Sequence, residues 1–170
     1  MAGLVTEESI VNPDSMFGNA GIELIKARAE RVDSRRKSVT LSDGRKIPYD
    51  KLVLGTGADA IVPPFEGSTL DGVFTLRTLS DAEKIRRFLD ETGAKDLVFV
   101  GAGFSSLETA TLLSGANPDF RITVVELLDH PLPLMLDGEM AAKIQEYLTV
   151  EKGFDMKMGR KVVRIIGRNG

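Results

Sequence analysis

The sequence predicts an α/β fold with a parallel sheet, preceded by a smaller β-rich segment. Three observations carry this expectation. From about residue 97 to residue 158, apolar runs of strand length alternate with helix-length periodic segments in the order β-α-β-α-β, which predicts parallel strands joined by right-handed crossovers. Gly101-Ala102-Gly103 stands between the first strand and the first helix of that series. Before residue 77 the chain reads instead as short strands separated by turn chemistry.

In the first region, strands are expected at residues 22–25, 29–32, 38–41 and 51–54. Ser42-Asp43-Gly44-Arg45 is a hairpin turn, because Asp-Gly tolerates the positive φ angles of a tight reversal. In Val62-Pro63-Pro64 two residues cannot donate ladder hydrogen bonds, so a connector is expected there. Ser80-Asp81-Ala82-Glu83 fits a capping box, and Ile85, Phe88 and Leu89 share one face of a helix running to Thr92, where Gly93 stops it. Residues 97–100 form an unbroken apolar run, as a strand buried on both faces should. A helix at 104–114, a strand at 122–126 and a helix at 138–151 follow. Phe154, Met156 and Met158 alternate with Asp155 and Lys157 in a further strand, and one more is expected at 162–166.

Composition narrows the function. The chain has 170 residues, 42% hydrophobic and 28% charged, enough for a real core. Its 22 basic and 25 acidic residues give a net charge of -3, which argues against nucleic acid or an anionic membrane as the main partner. Arg35-Arg36-Lys37 is too short to reverse that and reads as an exposed turn. No apolar run approaches the roughly 20 residues of a membrane span. The first seven residues lack the basic start and apolar stretch of a signal peptide, so a cytoplasmic location is expected. With no cysteine and His130 as the single histidine, the chain itself holds no disulfide, thiolate site, redox cysteine or multi-histidine metal site. His130, in Asp129-His130-Pro131, reads as a loop residue, and no side chain is assigned a catalytic role.

The glycine turn is the most informative motif. A pyrophosphate can dock on the unpaired amides of a helix start if the backbone can come close. Gly101 permits the tight strand-to-helix turn, Gly103 removes the side chain that would hold the pyrophosphate away, and Ser106 occupies the third small position. Alone this pattern fits an ordinary βα turn equally well. Glu126, 23 residues after Gly103 at the end of the second strand, supplies the acid that can accept both hydroxyls of an adenosine ribose and repel a 2′-phosphate. Leu127, Leu128, Asp129 and His130 follow it without an arginine. The region therefore reads as a Rossmann-like NAD-binding domain that prefers NADH to NADPH.

The run Tyr49-Asp50-Lys51-Leu52-Val53-Leu54-Gly55-Thr56-Gly57-Ala58, the proline pair, Gly72-Val73-Phe74-Thr75-Leu76-Arg77, Asp81-Ala82, Gly101-Ala102-Gly103-Phe104 and Leu107-Glu108 together resemble the pyridine nucleotide-disulfide oxidoreductase family, in its NADH oxidase and coenzyme A-disulfide reductase branch. The resemblance covers essentially the whole chain. It implies a flavin domain interrupted by an NAD domain, with residues 1–76 part of the first and 77–170 the second, incomplete at its C-terminal end. It implies FAD in the intact protein, approached by the backbone of Thr56 and Gly57, and hydride transfer from NADH to flavin. It places Gly101, Gly103, Phe104 and Ser105 around the pyrophosphate and the nicotinamide entrance, with Phe104 as an aromatic gate and Glu108 facing the nicotinamide side. Without that context Phe104 reads as a core aromatic, Glu108 as a solvated helical residue and Thr56-Gly57 as a plain turn. Ser106 and Gly55 depart from the usual glycine or alanine and from alanine.

The family's first glycine fingerprint and redox cysteine are expected upstream of Met1, and its ribityl motif and dimerisation domain downstream of Gly170. The chain then reads as the central part of an FAD-dependent NADH oxidoreductase, inactive alone, with NADH and the missing flavin-domain segments as partners and a tendency to homo-oligomerise. The alternative is a stand-alone NAD-binding or redox-sensing module. The final electron acceptor is not written in these residues.

Overall fold

The computed structural model describes residues 7–167, and residues 1–6, part of the stretch tested above for a signal peptide, lie outside it. The described residues divide into two compact units, one reaching to Ala58 and the other beginning at Asp59.

The first unit holds two short helices, α1 (Glu7–Ile10) and α2 (Ser15–Asn19), and a three-stranded antiparallel sheet of β1 (Ala29–Asp33), β2 (Ser38–Leu41) and β3 (Lys46–Pro48). The Asp-Gly turn joins β2 to β3 as expected, with Gly44 at φ 84° and its N–H donating to the Leu41 carbonyl at 3.0 Å. Pro48 ends β3, where a residue without an N–H can close a ladder. Residues 22–25 and 51–54 are not strands. They have the β-prone composition, but a strand exists only through a paired ladder, and none is made there. Val53 and Leu54 accordingly stand 90% and 69% exposed.

The second unit is the α/β part. Helix α3 (Leu79–Thr92) ends at Gly93, whose φ of 65° is the left-handed stop expected of it. Its capping box lies two residues earlier than the sequence reading placed it. The Thr78 hydroxyl accepts from the Asp81 N–H at 3.2 Å, and the Asp81 carboxylate accepts from the Thr78 N–H at 2.9 Å. Strands β4 (Asp96–Val100), β5 (Arg121–Val125) and β6 (Asp155–Lys157) form a parallel sheet in that order. Helix α4 (Phe104–Ala116) links β4 to β5. Helix α5 (Gly138–Glu146) continues through one π-helical turn (Tyr147–Glu151) toward β6. The expected strand at 162–166 reduces to a single bridge between Arg164 and Glu66, with the Ile165 N–H donating to the Glu66 carbonyl at 2.8 Å. A side chain at Gly67, which has φ 80°, would meet the Ile165 carbonyl oxygen at 2.1 Å, so this contact ties residues 59–76 to the α/β unit.

The parallel register puts Leu97 beside Ile122 and Phe99 beside Val124, on the sheet face that carries the core. Leu107 and Ala110 of α4 and Leu148 and Phe154 complete it. The opposite face is uncovered: Val98 is 64% and Val100 47% exposed. The expectation that β4 is buried on both faces therefore fails: Val98 and Val100 border an open cleft.

Candidate functional site

The site is built where β4 gives way to α4. Gly101, after the strand, has φ 99°, a conformation that L side chains rarely adopt, and its N–H is held by the Val125 carbonyl of the neighbouring strand at 2.7 Å. This glycine is required by the backbone. Gly103 is different. It has φ -76° and ψ 174°, ordinary extended geometry, and an added Cβ would meet nothing within 4 Å. Neither conformation nor crowding within the chain demands a glycine at 103. What its bare backbone provides is close access to the start of α4.

That helix start is unfinished. Gly103 occupies the cap position and no side chain caps the helix, nor is there an acidic residue in its first turn. The first intrahelical bond runs from the Leu107 N–H to the Gly103 carbonyl at 3.1 Å, leaving the amides of Phe104, Ser105 and Ser106 ahead of it. A 13-residue helix presents its positive dipole end here. Phe104 is 59% exposed, and Ser105 and Glu108 are also exposed, so the expectation that Phe104 would otherwise be core is excluded. Ser106 is half-buried and, with Ser105 and Thr109, borders a cleft of about 930 Å³ beside β4, so its hydroxymethyl group has room without displacing the helix.

Glu126 follows β5 and lies against the same turn. Its residue is 9% exposed, the one buried charged side chain among the described residues. One carboxylate oxygen accepts from the Ala102 N–H at 2.7 Å and the other from the Leu128 N–H at 2.9 Å. The sequence spacing anticipated an acid near the turn but not that it would hold the turn's own backbone. A contact across 24 residues has no local signature. Thr56 and Gly57 are exposed in the first unit, Gly57 with φ 74°. His130 is a partly buried loop residue whose Nδ1 lies 3.0 Å from the Pro131 carbonyl oxygen. Among the described residues no cluster of acids and histidine is arranged to hold a metal ion, and no helix is long and apolar enough to cross a membrane.

Chemically, the arrangement offers hydrogen-bond donors and positive potential to an anion at the start of α4, and an acid beside it. The family described as pyridine nucleotide-disulphide oxidoreductase matches residues 6–170. The chain is 38% identical over 141 residues to an NADH oxidase of Methanocaldococcus jannaschii, covering 81% of this chain and 31% of that protein. It is 34% identical to a rubredoxin-NAD(+) reductase of Pseudomonas putida, covering 97% of this chain and 42% of the other. In structure it is similar to an NAD-dependent persulfide reductase from A. fulgidus, with a TM-score of 0.84 and 35% identity over 98% of this chain and 32% of that one. The chain thus spans roughly a third to two-fifths of the length of these relatives.

Proposed function

The chain belongs to the pyridine nucleotide-disulphide oxidoreductase family, and we propose that residues 77–170, the greater part of its second unit, are the NAD-binding portion of an FAD-dependent NADH oxidoreductase. The observation that carries this reading is Gly103, a glycine the fold does not need, at the uncapped start of α4. A dinucleotide pyrophosphate is the anion that fits: it spans the first-turn amides, and a Cβ at 103 would fill the space it needs. Glu126 would accept adenosine ribose hydroxyls with the acceptor positions its two backbone partners leave free. Its negative charge disfavours a 2′-phosphate. Phe104 would gate the nicotinamide entrance, with Ser105 and Ser106 lining the approach and Glu108 on the nicotinamide side.

NADH supplies a hydride and FAD accepts it when both are bound in the intact protein. This chain would bind the nucleotide, orient it through Gly101–Ser106 and Glu126, and shield the turn from water. Toward FAD it offers only the backbone at Thr56-Gly57, so we propose that residues 1–76 belong to the flavin domain, residues 77–170 form the NAD domain, and the remaining flavin contacts come from segments beyond this sequence. We place the protein in the cytoplasm as a homo-oligomer, and the names of its relatives, which act with NADH or NAD(+), support the coenzyme choice.

Calorimetric titration with NADH and NADPH tests the reading. NADH should bind more tightly by roughly 1.5 to 3 kcal/mol, about one to two decades, from hydrogen bonds to a charged acceptor. Equal affinities would contradict the role of Glu126, and no binding of either would contradict the site.

A further inference from the structure

Ala102, between the two glycines, has no exposed surface, and the segment after β5 uses both of its backbone groups. Its N–H donates to Glu126 at 2.7 Å, and its carbonyl accepts from the Leu132 N–H at 2.9 Å. The other oxygen of Glu126 holds the Leu128 N–H, within the same segment. Leu132 reaches its position with φ 52°, in the left-handed region unfavourable to a leucine, next to the fully buried Pro131. Such a conformation persists only where the surroundings fix it. Recognition of a ribose requires neither the bond to Ala102 nor the strained leucine. Both act on the turn.

Resting on the reading of this turn as a pyrophosphate cradle, we infer that Glu126 is also a positioning residue for the pyrophosphate: with Leu132 it clasps Ala102 from both sides and fixes the backbone from which the amides of α4 are presented. An ionised carboxylate has about four acceptor positions, so two bonds to backbone leave two for a ribose. Glu126 would then couple the two ends of the adenosine half of the ligand. A turn held in its binding geometry before the nucleotide arrives lowers the ordering cost of binding. Glutamine at 126 cannot accept at both ends, since its amino group would face one of the two donating N–H groups. Aspartate keeps the charge but falls one methylene short.

The test separates the clasp from the ribose contact. Without nucleotide, the Ala102 amide of the unaltered chain should exchange with solvent far more slowly than that of Gly103; exchange should accelerate by about tenfold or more at Ala102 and Leu128, the two donors to this carboxylate, in Glu126→Asp, and at whichever of the two meets the amino group in Glu126→Gln, while the β4–β5 ladder is unmoved. Equal exchange at Ala102 and Gly103 in the unaltered chain, or no acceleration in a folded variant, would overturn the inference. NADH and its analogue lacking the 2′- and 3′-hydroxyls of the adenosine ribose should then both bind about tenfold more weakly to the variants. A loss confined to NADH would mean that the acid serves the ribose alone, and would equally overturn it. Failure of the unaltered chain to bind either nucleotide would instead refute the cradle, with the clasp itself still decided by exchange at Ala102.

Discussion

Helices α3 and α4 begin in opposite ways. The start of α3 is completed by its own residues, Thr78 and Asp81 exchanging side-chain and backbone hydrogen bonds across the first turn. That of α5 is likewise capped, by Asp137 on the Met140 N–H at 2.9 Å. α4 alone of these three is left open, behind a glycine that the backbone does not require. A helix start closed by its own carboxylate serves the fold, since its donors are used and an added anion would be repelled. An open one keeps its donors available to a ligand, at some cost in helix stability.

Substitution of Gly103 separates these helix starts by the largest effect. Valine there is compatible with φ -76° and open space, so the circular dichroism spectrum and melting temperature should stay near those of the parent. NADH affinity should fall by about two decades or more, some 2.8 kcal/mol, because the pyrophosphate is held off the amides. Gly101→Ala should behave differently: at φ 99° it introduces about 1 to 3 kcal/mol of backbone strain, lowering unfolding free energy and NADH affinity together. Denaturant titration beside calorimetry distinguishes the two glycines. Thr78→Ala inverts the Gly103 result, costing about 0.5 to 2 kcal/mol of stability and leaving NADH binding unchanged.

The smallest effect concerns pH. Hydrogen bonds from the Thr78 N–H, then the Thr78 hydroxyl pairing and the Arg77 N–H, lower the Asp81 carboxyl below its ordinary 3.8. A carboxylate depressed in the folded state contributes stability above its unfolded pKa and loses it as pH falls through the folded value. Acidification below about pH 4 should therefore weaken the start of α3. Asp81→Asn should remove that part of the acid dependence, seen in melts from pH 6 to pH 2.5.

Much of this contrast was legible in the sequence, and the misses have physical causes. Gly93, the Asp43-Gly44 turn and the alternation from residue 97 to residue 158 obey local rules, and the structure follows them. Thr78-Leu79-Ser80-Asp81-Ala82-Glu83 contains two overlapping capping patterns, and composition does not say which one the helix uses. The expected strands at 22–25 and 51–54 failed because pairing depends on a partner that local composition does not reveal. The turn and Glu126 were visible as a spacing, whereas the clasp on Ala102 depends on tertiary geometry. Because of it, Glu126→Arg would change coenzyme preference and release two backbone N–H groups together, so that substitution reports on the turn as well as on specificity.

The open start of α4 is the proposed seat of the dinucleotide. Amide chemical shifts of the isotopically labelled chain, followed during titration with NADH, test it most directly. Saturable shifts are expected at Gly103, Phe104, Ser105 and Ser106, with the closed start of α3 at Leu79, Ser80 and Asp81 unmoved. Saturable binding that leaves residues 103–106 unshifted would contradict it.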